Sequence, residues 1–113
     1  MGQLTTHVLD VQAGHPAQGV IVELHAAGSP PVAFVTGRDG RVPQPLLSGA
    51  EFVQGRYVLT YQLGRYFRER GIVLPEPAFL EQAVIHVGIA DPATHYHVPL
   101  IITPWSYSVY RGG

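Results

Sequence analysis

Neither cysteine nor lysine occurs in these 113 residues, and all seven basic side chains are arginines. Disulfide staples, thiolate nucleophiles, thiolate metal sites and Schiff-base chemistry are thereby excluded by inventory. Charge is scarce as well. Only 13% of residues are charged against 46% hydrophobic, and eight acids against seven arginines leave a formal charge of -1. That balance offers no electrostatic footprint for nucleic acid or an anionic membrane, so neither is expected as a partner. No apolar run approaches the roughly 20 residues that a membrane-spanning helix needs, and Met1 to Thr6 lacks the basic and apolar regions of a secretion signal. A soluble, cytoplasmic protein is the expectation.

What the chain does have is ten prolines and thirteen glycines, which cut it into short apolar stretches. Few windows hold three helical turns, whereas a two-residue alternation recurs, the pattern of a β-sandwich or barrel. Gln3 to Asp10 puts Leu4, Thr6 and Val8 on one face and Thr5, His7 and Leu9 on the other. Val20 to Ala26 turns Val20, Val22 and Leu24 inward. Further strands are expected at Val32 to Thr36, weakly at Glu51 to Gln54, and at Arg56 to Leu63, Ala83 to Ala90, His95 to Thr103 and Ser106 to Arg111. Gly14 to Ala17 has turn chemistry. Arg65 to Arg70, closed by Gly71, is the one helical candidate. The expected architecture is a single all-β domain over residues 1–113, with about eight strands and one short helix.

Chemistry concentrates near the end of the chain. In His95-Tyr96-His97-Val98-Pro99-Leu100-Ile101-Ile102, alternation sends Tyr96, Val98, Leu100 and Ile102 to the core and His95, His97, Pro99 and Ile101 to the opposite face. Proline cannot donate to a ladder, so Pro99 implies an edge, a bulge or a break in the pairing. Imidazole titrates near neutrality, so a histidine held over a substrate can deprotonate water at working pH. His97 is the first candidate, although from the residues alone an ordinary solvated or interface histidine is the more common occupant of such a position. His7 has the same status on the first strand. Arg41 ends the glycine-flanked loop Gly37-Arg38-Asp39-Gly40-Arg41, where a guanidinium can clamp a planar urea-like or carboxylate-like group. Arg38 fits a solvating role better, and His15, His25 and His86 read as structural. Three imidazoles from His7, His95 and His97 would suit a catalytic zinc, but no carboxylate or further histidine stands at ligand spacing, and no metal is expected. Ser29, Ser48, Ser106 and Ser108 lack the nucleophile elbow of a serine hydrolase.

Three separated stretches resemble the signature segments of the 5-hydroxyisourate hydrolases, a transthyretin-related family. They are Leu4-Thr5-Thr6-His7-Val8-Leu9-Asp10, the loop Thr36 to Arg41, and the block from His95 to Arg111, in which Pro104 separates His-Tyr-His-Val-Pro-Leu from Tyr107-Ser108-Val109-Tyr110-Arg111-Gly112. Gly14, Pro16-Ala17 and Tyr66-Phe67 extend the resemblance along the chain. It implies a sandwich of two four-stranded sheets, assembled as a homotetramer with active sites at the dimer–dimer interface. It also implies hydrolysis of 5-hydroxyisourate to 2-oxo-4-hydroxy-4-carboxy-5-ureidoimidazoline in urate catabolism, without metal or organic cofactor. Position by position, His7, Arg41 and His97 match the family's catalytic residues, and Tyr110, Arg111, Gly112 and Gly113 occupy its substrate-binding terminal tetrapeptide. Gly113 departs from the family's usual serine, so a hydroxyl is missing there. The alternative is a transthyretin-like carrier that holds a small apolar ligand in the same channel. A carrier wants an apolar lining, whereas these three residues are polar or titratable.

Overall fold

The computed structural model describes residues 2–113. Its elements in chain order are β1 (Gln3–Asp10), β2 (His15–Pro16), β3 (Ile21–Ala26), β4 (Val32–Val35), β5 (Leu47–Ser48), a 3-10 turn (Gly49–Glu51), β6 (Gly55–Gln62), α1 (Leu63–Glu69), β7 (Gln82–Ile89), β8 (Tyr96–Ile102) and β9 (Tyr107–Val109). They form two sheets. One runs β2-β1-β8-β9, with the two-residue β5 also pairing to β1; the other runs β4-β3-β6-β7. The expected sandwich of two four-stranded sheets is therefore present, with β5 as an addition to the first.

Strict alternation explains why these segments pair as they do. In β1 every second residue from Leu4 to Asp10 is buried, and in β8 Tyr96, Val98, Leu100 and Ile102 are buried in step. The facing sheet supplies Val22, Leu24, Tyr57, Leu59, Tyr61, Ala83 and Ile89 to the same core. A one-residue slip would carry each set to solvent, so burial fixes the register. Polar groups inside the sandwich are partnered. The Thr6 hydroxyl donates to the Val98 carbonyl and shares a 2.7 Å hydrogen bond with the Tyr61 hydroxyl. Burial pushes the Tyr61 pKa up to about 12, against the opposing effect of that hydrogen bond. Tyr66 of α1 donates to the buried Asp10 carboxylate at 2.8 Å, which ties the helix beneath the end of β1. Among the described residues no buried side-chain polar atom lacks a partner.

Several expectations shift. Glu51 to Gln54 is not a strand, because Gly49 turns the chain with φ +60° into a short 3-10 turn and pairing occurs earlier, at Leu47–Ser48. The Gly14 to Ala17 segment contributes a pair of ladder residues, since His15 and Pro16 pair with Asp10 and Leu9 and the reversal lies just before them. The helix begins at Leu63, directly where β6 ends, because Leu63 and Phe67 are apolar and pack into the core while Glu81 caps the junction through its carbonyl.

Candidate active site

The outer face of the first sheet is built by a parallel pairing. β1 and β8 run side by side with Thr5 opposite His97 and His7 opposite Pro99, so the odd-numbered residues of both strands share the side away from the core. This register brings two histidines that are 90 residues apart into one place. The His7 and His97 rings lie 6.5 Å apart between centroids, and His95 lies 6.3 Å from His97 on the other side.

Arg41 reaches the same place because the loop before it folds back over β1. His7 forms a bridge with Arg41, and the Val8 N–H donates to the Gly40 carbonyl at 2.9 Å. Gly40 is held at φ +78°, and a Cβ there would run into the Val8 carbonyl, so only glycine fits. Thr36, fully buried at the start of this loop, donates to the Ala17 carbonyl and accepts from the Val20 N–H. The Asp39 carboxylate then accepts from the Arg41 N–H at 3.0 Å. A short loop is thus pinned at both ends with its guanidinium exposed beside the histidines.

Hydrogen-bond partners restrict the two rings. His7 Nε2 lies 2.8 Å from the Asp39 carbonyl, which can only accept, so that nitrogen carries a proton. His97 Nδ1 lies 2.8 Å from Thr5 Oγ1, and its Nε2 has no hydrogen-bond partner among the described residues. Burial lowers the His97 pKa from its ordinary value, and the positive charge of Arg41, His7 and His95 lowers it further. Around these groups lies a cavity of about 390 Å³, lined by Thr5, Thr6, Arg41, Val42, His95, His97 and Gly113. A larger cleft of about 560 Å³ opens at the far edge of the sandwich beside Leu24, Phe34 and Tyr57, but no histidine lines it.

The terminal segment divides. β9 keeps one register against β8 from Tyr107 through Val109, and Gly112 resumes that register as a bridge to His97 after an interruption at Pro99. Pro99 therefore marks a break in the pairing, one of the outcomes its missing N–H allows. The Gly112 N–H donates to the His97 carbonyl at 2.7 Å. A Cβ on Gly112 would stand 2.8 Å from His97 Cδ2, so this position packs directly on the ring. Gly113 lines the cavity. Arg111 points the other way, with its guanidinium 4.0 Å over the Tyr96 ring and donating to the His95 carbonyl. Tyr110 and Arg111 border a separate hollow with Ile85, Val87 and Tyr96. Of the sequence candidates, His7, Arg41, His97, Gly112 and Gly113 are brought together, and Tyr110 and Arg111 are not.

The chain that carries this constellation has known relatives. The model of the HIUase/Transthyretin family matches residues 4–112. The chain belongs to that family. A 5-hydroxyisourate hydrolase of Pseudomonas aeruginosa is 49% identical over 116 aligned residues, covering 99% of this chain and 92% of that protein. The structure of Klebsiella pneumoniae 5-hydroxyisourate hydrolase superposes with a TM-score of 0.84 at 35% identity and full coverage of both chains. Sea bream transthyretin in complex with thyroxine superposes with a TM-score of 0.83 at 23% identity over 97% of this chain and 94% of that one, which places both in one fold. Within the HIUase/transthyretin frame, two residues that sequence reasoning passed over stand at the site. Thr5 touches two imidazoles, and Thr36 anchors the Arg41 loop. Alternation already put Thr5 on the face of His7, but its distance from His97 needed the parallel register. Among the described residues no group of three or more potential ligands is arranged to hold a metal ion, and no helix is long and apolar enough to cross a membrane.

Proposed function

We propose that this chain hydrolyses 5-hydroxyisourate, opening the six-membered ring at its cyclic amide. The observation that carries the reading is the meeting of His97, His7 and Arg41 on one sheet face beside a cavity of about 390 Å³. His97 is the base. Its lowered pKa keeps it neutral near pH 7, with Nε2 as the nitrogen that Thr5 leaves unengaged. It takes a proton from water as the water oxygen bonds to the amide carbonyl carbon. Arg41 holds the negative charge that develops on the carbonyl oxygen, and a preorganised donor there acts without reorganising at the moment of reaction. The carbon–nitrogen bond then breaks, His97 returns the proton to the departing ring nitrogen, and the product carboxyl ionises. His7, with Nε2–H committed to the Asp39 carbonyl, presents Nδ1 to orient the substrate. Gly113 closes the cavity and Gly112 packs on the His97 ring, while Arg111 on Tyr96 anchors the segment that carries them.

The cavity is open toward solvent, with both Arg41 and His95 exposed. We infer that a second dimer covers it, so that the working form is a homotetramer with sites at the dimer–dimer interface, in the cytoplasm. A carrier of apolar ligands fits this lining poorly, since imidazoles and a guanidinium occupy it. The test follows the near-ultraviolet absorbance of freshly generated 5-hydroxyisourate. Wild type accelerates its decay and His97→Ala loses about 10²- to 10³-fold in rate. An unchanged spontaneous rate with wild type would overturn the reading.

A further inference from the structure

Three side chains on the outer face form a row, and the reaction as drawn uses only one of them. Thr5 pairs directly with His97 across the parallel ladder. Its hydroxyl oxygen stands 2.8 Å from His97 Nδ1 and 3.2 Å from His95 Nε2. The two rings flank it nearly parallel, with 17° between their planes. A threonine hydroxyl has one proton to give. When it bridges two neutral imidazoles it donates to one and accepts from the other; because it meets Nδ1 of His97 and Nε2 of His95, the two rings are tied to the same tautomer.

We propose that Thr5 is a positioning residue that holds His97 with its proton on Nδ1 and its lone pair on Nε2, passing its own hydroxyl proton to His95 Nε2. The proposal rests on the hydrolase reading, in which His97 is the base. Nδ1 is occupied by Thr5, so the lone pair that meets water must sit on Nε2, and Nδ1 must carry the hydrogen. Thr5 then accepts from His97, and His95 Nε2 is the acceptor within reach for the hydroxyl proton. This polarity has a further merit. When His97 takes up the water proton, Nδ1–H still donates to Thr5, so the hydroxyl keeps its orientation through the cycle. In the reverse polarity Thr5 would donate to Nδ1 and would have to turn when that nitrogen became protonated. A neutral imidazole in water prefers the proton on Nε2, so the arrangement has to be imposed by the partner. His95, exposed at the outer end, completes the row with its other nitrogen free for water.

The experiment records two-bond nitrogen–proton NMR correlations of the imidazoles in the full chain, together with steady-state rates on 5-hydroxyisourate, for wild type, Thr5→Val, Thr5→Ser and His95→Leu. Wild type is expected to show His97 protonated at Nδ1 and His95 unprotonated at Nε2. Thr5→Val keeps the shape but removes the hydroxyl; it moves His97 toward the Nε2–H form and lowers kcat by about 10- to 100-fold with KM nearly unchanged, less than loss of the base itself. Thr5→Ser restores tautomer and rate, which a purely steric role for the methyl group would not. His95→Leu moves the His97 tautomer in the same direction as Thr5→Val. The acid limb of the rate profile is read with the titratable and charged groups that face His97 in view, namely His7 on β1, Arg41 in the loop and His95 just before β8. A wild-type His97 protonated at Nε2, or a Thr5→Val protein with wild-type tautomer and rate, overturns the proposal. Wild type that fails to speed decay sinks the hydrolase reading instead, and the ring NMR still decides the tautomer.

Discussion

At the scale of the residue, the proposed mechanism requires a neutral imidazole beside the Arg41 guanidinium. Burial is the first cause of the lowered His97 pKa, followed by Arg41, His7 and His95. The acid limb of kcat/KM should therefore lie below the ordinary histidine value of 6.5. Arg41→Gln removes one of the repelling charges, so the residual activity of that variant should titrate at higher pH than wild type. A pH–rate profile checks this, and an unmoved or lowered limb would show that Arg41 does not face His97. The same shift has a sign for stability. A folded pKa below the unfolded one means that the unfolded chain binds the proton more readily, so His97 contributes stability above the unfolded value and loses it as pH falls through the folded one. How much of this was legible beforehand differs by residue. His7 and His97 declared their faces by alternation, and Arg41 by its loop. Thr5 did not stand out, because its hydroxyl gains meaning only when β8 lies parallel to β1 in the observed register. Asp10 lay on the Leu4 face by the same alternation, and its burial follows from a pattern already in the sequence; its partner Tyr66, 56 residues away, does not.

At the scale of the element, β8 and the segment after β9 form the device that aims His97. Pro99 has no N–H to give to the neighbouring strand, so the ladder lapses there and resumes at Gly112. The resumption lays Gly112 against the ring. Gly112→Ala should push a methyl group into His97 Cδ2 and turn the imidazole, with a rate loss of about 10²-fold, the cost of a small misplacement at a reacting centre. Gly113→Ala meets nothing within 4 Å and should leave the ring in place, so the pair of variants separates steric aim from general disturbance of the tail. Comparable losses at both positions, with unchanged thermal stability, would refute the steric account. Sequence alone placed the strands well where alternation was long, as in β1, β6 and β8. It failed at Glu51 to Gln54, because a stretch that short carries too little period to outweigh the turn that Gly49 opens ahead of it. It also extended β9 through Arg111, whereas the strand stops at Val109, the arginine leaves for Tyr96 and only Gly112 pairs again as an isolated bridge.

At the scale of the whole molecule, one chain leaves its chemical face uncovered. Beside His7 and His97 the same face carries Leu9 and Ile101, which pair across the ladder and are only half-buried. Apolar side chains next to a polar cavity on an open sheet are what an interface between copies would cover. Covering the cavity would also remove water from around Arg41 and His97, which strengthens each charge interaction there. The prediction is that the chain sediments as a species of about four times its 12.3 kDa mass. Ile101→Glu sets an unpaired carboxylate into the covered face without touching the core-facing side of β8, so it should yield a folded, smaller species with little activity. Analytical ultracentrifugation and circular dichroism decide this together. A wild-type monomer with full activity would mean that the open face is complete as it stands, and that the site draws nothing from a second copy.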